Sequence, residues 1–463
     1  MSNPGEADGT PIESVRQLAA YFEAGCKPPA DFRIGTEHEK FGFRRADLNP
    51  PPYEPQPDDR ASIRTLLEGL AQRGADPITD NGNVIGLRQN DASISLEPAG
   101  QLELSGAALP TLHDTWTELQ AHFADVRAVT RPLGMGFAPL GFHPFCRRDD
   151  MPWMPKGRYA IMRGYMPKVG SRGLDMMTRT CTVQVNLDYA SERDMVRKLR
   201  VSLLLQPIAT ALFANSPFTE GKPNGFLSYR ADVWRDTDNQ RSGIPAVMLE
   251  DGFGFERYAE WLIDHVPMYF IYRDGRYIDV SGGSFRAFMQ GRMHNLATET
   301  ATMGDFADHV TTVFTDVRVK RFLEMRGSDA GTPEMMIAQS AFWVGLLYDE
   351  PTLAAAEALL RDMTWHDAIA LREAVPRRGL NAPLSTPGRG QTARILAREA
   401  VALARQGLRA RQRLDPAGRD ESVFVAPLEA IVDGAPNQAE HWLARYNGPW
   451  NGDVRRILTE AEV

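Results

Sequence analysis

Glu37 and Glu39 lie in residues 32–43, a segment whose pattern predicts an extended strand. Side chains of a strand alternate between its faces, so the two carboxylates point the same way, whereas Lys40 and His38 point the other way. Neighbouring carboxylates repel each other, and this repulsion needs a compensating charge. A divalent cation that prefers oxygen ligands, such as Mg²⁺, Mn²⁺ or Ca²⁺, would supply it.

Three further predicted strands, 101–105, 180–188 and 322–328, repeat this arrangement, each with one polar and one apolar face. Their polar rows are Gln101, Glu103 and Ser105; Thr182, Gln184, Asn186 and Asp188; and Glu324 with Arg326. Glu97 precedes the first of them. A solvated strand face normally contains lysine, and these rows are poor in it. The pattern therefore predicts a metal-lined pocket on one sheet, and carboxylates around Mg²⁺ commonly handle phosphates.

The remaining pattern indicates the elements that must position these strands. Helical spacing occurs at 12–23, 60–72, 111–130 and 192–213, and after residue 332 at 333–347, 351–362, 391–413, 421–433 and 436–446. Residues 84–87 and 93–105 read as extended, and 134–154 and 215–243 read as loops. We expect an α+β fold with a mainly antiparallel sheet. Residues 1–11 are expected to be disordered, and 12–463 to form a single catalytic domain that is mostly helical over 332–463.

Composition excludes several classes of function. The chain has 463 residues and a formal net charge of −8, which argues against a general nucleic-acid or anionic-membrane surface. Residues 201–214 are apolar but too short to span a bilayer, which needs roughly 20 residues. Three separated cysteines and a polar first segment favour a reducing, cytoplasmic location. A phosphate-binding P-loop motif is absent from the sequence.

Several ordered motifs resemble those of plant-type and proteobacterial glutamate–cysteine ligases. They are IGTEHEKFGF (34–43), LEPAGQLELSG (96–106), GSRGLDMM (170–177), ANSPFTE (214–220), YRADVW (229–234) and RFLEMRG (321–327). The resemblance implies a glutamine-synthetase-like fold, in which a curved antiparallel sheet forms a funnel flanked by helices. It also implies ATP-dependent joining of the γ-carboxylate of L-glutamate to the amine of L-cysteine, the first step of glutathione synthesis. The chain would then be a monomer or a homodimer that acts on small molecules.

The same resemblance implies roles for individual residues. One metal ion would be held by Glu39, Glu97 and Glu103, and another by Glu37, Gln184 and Glu324, with two or three Mg²⁺ ions in all, or Mn²⁺ in their place. Arg326 would contact a phosphate or orient Glu324 by a salt bridge. Arg172 and Arg230 would bind the glutamate α-carboxylate or be ordinary surface arginines. Tyr229 and Trp234 would line the cysteine site or pack in the core, and Asn186 would orient a ligand or belong to a ladder of strand side chains.

The implied reaction passes through a γ-glutamyl phosphate, and Mg²⁺ and arginines, with Arg326, Arg230 and Arg172 as candidates, would offset the developing charge. Three alternatives remain open at this point. The chain could be a related carboxylate–amine ligase with another amine acceptor, a metal-dependent phosphohydrolase, or a non-catalytic metal-binding protein.

Overall fold

The computed structural model describes residues 8–293, 296, 299–384 and 392–463. Its strands are β1 Ile34–Arg44, β2 Asp76–Asp80, β3 Asn83–Gln89, β4 Ala92–Leu96, β5 Leu102–Ser105, β6 Met135–Ala138, β7 Thr182–Leu187, β8 Phe218–Thr219, β9 Lys222–Pro223, β10 Ser242–Gly243, β11 Phe270–Arg273, β12 Arg276–Asp279, β13 Phe314–Thr315, β14 Val317–Val319 and β15 Leu323–Asp329. Its helices are α1 Val15–Glu23, α2 Ile63–Ala71, α3 Leu112–Thr130, α4 Gly157–Val169, α5 Gly173–Arg179, α6 Glu192–Leu212, α7 Tyr229–Val233, α8 Phe255–His265, α9 Phe285–Met289, α10 Met303–Thr311, α11 Pro333–Leu347, α12 Glu350–Leu360, α13 Trp365–Arg378, α14 Ala393–Ala410, α15 Ala426–Val432, α16 Gln438–Asn447 and α17 Arg456–Glu460.

The central element is an open sheet in the order β14-β15-β7-β1-β5-β4-β3-β2, with β6 paired to the second half of β1. Each of these pairs is antiparallel. The expected α+β fold with a mainly antiparallel sheet is therefore confirmed. β1 is long enough to pair with β5 and β7 through its first half, which is the half that carries Glu37 and Glu39.

The face of β1 opposite the glutamates is buried against helix α3. His38 and Lys40 are buried there, and the His38 ring packs against His122 and Phe123 of α3. Helix α11 covers the neighbouring strand β7 on this side. Since apolar packing occupies one face of the sheet, the polar rows are left for the other face, as the alternating pattern predicted.

Some elements differ from the sequence-based expectations. Residues 93–105 form the hairpin β4–β5, whose connection turns at Gly100 with a φ of 84°, a conformation that favours glycine. The expected loops contain β6 and α7. Helices α4 and α13 escaped prediction because proline and glycine disfavour helix, and these helices enclose Pro167 and Pro376.

The first residues also differ from expectation. The backbone of residues 8–11 is hydrogen-bonded or bridged to residues 302–304, so the prediction of disorder is wrong for them. Residues 1–7, and residue 391 at the start of a predicted helix, lie outside the described residues. Within the described ranges, each helix is too short or too polar to cross a membrane.

Candidate active site

A pocket opens on the polar face of the sheet, with a volume of about 790 Å³ including the solvent at its mouth. Strands β1, β5 and β7 form its floor, and helices α4, α5 and α7 contribute to its walls. Its lining includes Glu37, Glu39, Glu97, Glu103, Gln184, Arg230, Trp234 and Arg326, eight of the residues singled out from the sequence.

An acidic group occupies one end of this pocket. Glu39 lies directly opposite Glu103 on β5, and Glu97 follows β4 at the hairpin turn. The backbone N–H of Thr182 donates to Glu39 Oε2 at 2.9 Å, and Ser95 Oγ donates to Glu103 Oε2 at 2.6 Å. Burial, reinforced by the charges of Glu97 and Glu103, raises the pKa of Glu39 well above its usual value.

The acidic group suits a divalent cation in donor chemistry and in charge. Buried carboxylates that repel one another gain from an ion with hard oxygen preference. The described residues nevertheless contain no group of three His, Cys, Asp or Glu side chains already arranged to hold a metal ion. Glu39, Glu97 and Glu103 would have to draw together around one.

A cationic group occupies the other end and surrounds Glu324, which is fully buried. Arg318 Nη2 lies 2.6 Å, Arg326 Nη1 2.7 Å and Lys320 Nζ 3.3 Å from its oxygens. Burial alone would raise the pKa of Glu324, but these three positive charges hold it well below its usual value. Arg326 Nη1 also donates to Gln184 Oε1.

Glu324, one member of the predicted second metal group, is therefore already paired with protein cations. Glu37 accepts a hydrogen bond from Asn186 Nδ2 at 2.9 Å, and Gln184 and Glu324 both accept from Arg326. A metal ion there would require Arg326 to move away. The assignment of a second metal ion to Glu37, Gln184 and Glu324 stays a prediction. The observed geometry matches the alternative, in which Arg326 orients Glu324 by a salt bridge.

Four of the predicted residues do not line the described pocket: Asn186 and Glu324, which contact residues that do, and Arg172 and Tyr229, whose printed contacts lie elsewhere. Arg172 donates to the backbone oxygen of Asp232 at 3.0 Å and pairs with its carboxylate, and its side chain is 34% exposed. The Tyr229 ring packs against Phe142 and Phe226 at 4.8 and 5.3 Å between ring centres. Arg172 and Tyr229 are missing from the described residues that line the pocket. Arg230, by contrast, is 3% exposed and lines it beside Trp234.

The comparison with known proteins agrees with these motifs. The family described as glutamate–cysteine ligase family 2 (GCS2) matches the chain over residues 33–460. The chain belongs to this family. It is 50% identical over 444 residues to glutamate–cysteine ligase B, chloroplastic, of Oryza sativa subsp. japonica, covering 96% of this chain and 86% of the relative. The Arabidopsis thaliana chloroplastic enzyme is 48% identical over 96% of this chain and 82% of its own length.

A solved structure shows the same fold at much lower identity. Glutamate–cysteine ligase from Francisella tularensis, crystallised in complex with AMP, has a TM-score of 0.53 and 11% identity, covering 94% of this chain and 89% of that chain. The expected membership of the glutamate–cysteine ligase family and the expected enzyme class, a ligase, are confirmed.

One expectation about this member of the glutamate–cysteine ligases is corrected. The plant relatives are named as chloroplastic enzymes, so the expectation of a cytoplasmic location is wrong. That expectation depended on separated cysteines, which are all free in the structure. Free cysteines indicate a reducing environment and do not identify a compartment.

Two charged residues of the pocket lining, Arg158 and Arg318, were not predicted from the sequence. Arg158 of α4 is 6% exposed, lines the pocket, and has a buried Nε with no hydrogen-bond partner among the described residues. No recognisable pattern surrounds it, because α4 itself was not predicted. Arg318 lies opposite Glu324 on β14, and the alternation of Val317, Arg318 and Val319 could have revealed it.

Proposed function

We propose that this chain joins the γ-carboxylate of L-glutamate to the amine of L-cysteine and converts ATP to ADP and phosphate. The observation that carries the proposal is the division of one buried pocket into an acidic end and a cationic end. Ligation needs both, because a polyphosphate and two amino acids must be held together while negative charge moves between them. The names of the plant relatives support these substrates. The AMP in the Francisella enzyme supports an adenine nucleotide.

The chemistry explains why ATP is required. A carboxylate resists attack by an amine because it is anionic and lacks a good leaving group. A γ-carboxylate oxygen attacks the γ-phosphorus of ATP, the bond to the β-phosphate oxygen breaks, and ADP leaves. The neutral amine of cysteine then attacks the acyl carbon, loses a proton, and expels phosphate with the former carboxylate oxygen. The product is γ-glutamylcysteine.

The cationic end would stabilise the charge that builds up in both steps. Arg326 lines the pocket while fixed to Glu324 and Gln184, so its guanidinium meets a phosphoryl group with little reorganisation. Arg230 is buried beside Arg326, and Arg158 is buried in the same pocket lining. Both add positive charge where screening by water is weak. We assign the glutamate α-carboxylate to Arg230. A contact from Arg172 would require it to leave Asp232.

At the acidic end, Glu39, Glu97 and Glu103 would hold Mg²⁺. A bound Mg²⁺ would neutralise phosphate oxygens and make the γ-phosphorus more electrophilic. Thr182 N–H and Ser95 Oγ fix one oxygen each of Glu39 and Glu103, and the remaining oxygens would be available to the ion. Trp234 would border the acceptor side of the pocket.

ADP formation by the purified chain tests this proposal. We expect ADP only when glutamate, Mg²⁺ and an amine acceptor are all present, with cysteine or α-aminobutyrate as acceptors. Failure of both, with turnover on another amine, would replace the proposal by a ligase of different acceptor specificity. ADP and phosphate without any amine would indicate a phosphohydrolase, and metal binding without ADP a non-catalytic protein.

A further inference from the structure

Asp329, the last residue of β15, is a buried carboxylate that the proposed reaction does not use. It is 2% exposed and accepts three hydrogen bonds. The donors are Asn215 N at 2.7 Å, Ser216 Oγ at 2.7 Å and Ser228 Oγ at 2.8 Å. Burial raises the pKa of Asp329, and the three donors with the charge of Arg230 oppose this rise. Each serine Oγ also accepts from a backbone N–H, which leaves its own proton for Asp329. Both serine hydroxyls must therefore point their protons at Asp329.

The fixed hydroxyls organise the first turn of α7. Ser228 Oγ caps this helix by accepting from Ala231 N at 3.2 Å. Ser216 Oγ accepts from the backbone N–H of Arg230 at 3.1 Å. Asp329 thus holds, through two serines, the backbone of the residue whose guanidinium lines the pocket.

A bulge in β15 makes this arrangement possible. Glu324 lies opposite Asn186 and Asp329 lies opposite Thr182, so β15 advances five residues where β7 advances four. The register shifts between Met325 and Ser328. Residues directly opposite each other share a face of the sheet, so the extra residue turns Asp329 to the pocket side of β15. In a regular strand it would face the other side from Glu324.

The same bulge also receives the far end of Arg230. Arg230 Nη2 donates to the backbone oxygen of Arg326, inside the bulge, at 3.0 Å. Thr182 Oγ1 donates to that oxygen at 3.3 Å. Arg230 is therefore attached to β15 at both ends, at its backbone through Asp329 and at its guanidinium through Arg326.

We propose that Asp329, acting through Ser216 and Ser228, is a positioning residue that holds Arg230 in the substrate-binding wall of the pocket. The proposal rests on the proposed function for its kinetic consequence, because Arg230 is assigned there to the glutamate α-carboxylate. Asp329 itself does not touch the reacting groups. Its effect should appear in glutamate use rather than in ATP use.

Steady-state kinetics of the full chain test this role. Ser228→Ala should lower kcat/KM for glutamate about tenfold or more, with the KM for ATP changed less than about twofold. Asp329→Asn should act in the same direction. Ser62→Ala is the matched control, because Ser62 is also a fully buried helix-capping serine but caps α2, which does not reach the pocket. It should lower the melting temperature and leave kcat/KM unchanged.

A double-mutant cycle shows whether the effect passes through Arg230. In an Arg230→Lys background, Ser228→Ala should cause little further loss. An equal loss in both backgrounds would overturn the proposal, as would variants that melt earlier yet keep kcat/KM for glutamate within about twofold of the parent.

If the wild-type protein were inactive, the proposed function would be refuted, but the positioning role of Asp329 would not. A crystal structure of the Ser228→Ala variant then tests the positioning role without any measurement of turnover. We expect the Arg230 guanidinium to leave the Arg326 oxygen, and an unchanged Arg230 would overturn the positioning role.

Discussion

Two buried glutamates on the strands that flank β7, Glu39 of β1 and Glu324 of β15, have pKa values displaced in opposite directions. Burial and other carboxylates raise the first, whereas three cations outweigh burial and lower the second. The two ends of the pocket are therefore electrically distinct before any ligand binds. This distinction is what a ligase needs if a cation and a transferring phosphoryl group are to occupy separate, adjacent places.

The Glu39 environment gives a prediction for single substitutions. Glu39→Gln or Glu103→Gln should lower kcat by about 100-fold or more, because each removes a charge proposed to hold Mg²⁺. Neither should lower the melting temperature of the metal-free protein, because each also removes a buried repulsion. Circular dichroism and the ADP assay measure both effects.

The control for these substitutions is Glu118→Gln. Glu118 is a partly buried glutamate of α3 whose pKa burial also raises, but it lies away from the pocket. It should keep near-normal activity. Near-normal activity in both Glu39→Gln and Glu103→Gln would refute the metal assignment.

At the scale of elements, alternation along strands predicted which face of each strand is polar, because only one face can pack against helices such as α3. The register with which the strands pair could not be predicted from the sequence. That Glu39 meets Glu103, or that β15 gains a residue between Met325 and Ser328, depends on pairing between distant segments. Helix α4 and its Arg158 were missed for a local reason, since Gly164 and Pro167 weaken the helical pattern.

The contact between α11 and α14 gives a prediction about packing. A Cβ at Gly407 would lie 1.9 Å from the Gly345 backbone oxygen, and one at Gly345 would lie 2.1 Å from the Ala404 oxygen. Gly407→Ala should therefore lower the free energy of unfolding by about 1–3 kcal/mol or more in urea titrations. The control is Gly164→Ala in α4, where no atom lies within 4 Å of the added Cβ. Equal stability of the two variants would contradict the close packing.

At the scale of the whole molecule, the sheet separates a dry core from a pocket that gathers residues from position 37 to position 326. The family motifs predicted most of this gathering, because several of their charged residues lie on the sheet or at its hairpin turn: Glu37, Glu39, Glu97, Glu103, Glu324 and Arg326. They misplaced Arg172 and Tyr229, which lie in motif segments but turn toward Asp232 and Phe142. Motif membership indicates proximity to the site, and side-chain direction needs the fold.

Stability of the whole chain should depend on Mg²⁺ and pH together. Because the folded-state pKa of Glu39 is raised above 4.5, the metal-free fold loses stability as pH rises from that value through the folded pKa. Mg²⁺ binds the ionised form and opposes this loss. The increase in melting temperature on adding Mg²⁺ should therefore grow as pH rises above 4.5 toward and through the folded pKa of Glu39.

Comparing melting temperatures with Mg²⁺ and with a chelator isolates this effect. An increase that is absent, or the same at every pH, would contradict cation binding by the acidic group.

The most direct test of the account follows the γ-carboxylate oxygens of glutamate. With both oxygens labelled as ¹⁸O, mass spectrometry of a reaction containing ATP, Mg²⁺ and cysteine should find one label in the released phosphate and one in γ-glutamylcysteine. Unlabelled phosphate, or phosphate released without the dipeptide, would contradict ligation through a γ-glutamyl phosphate.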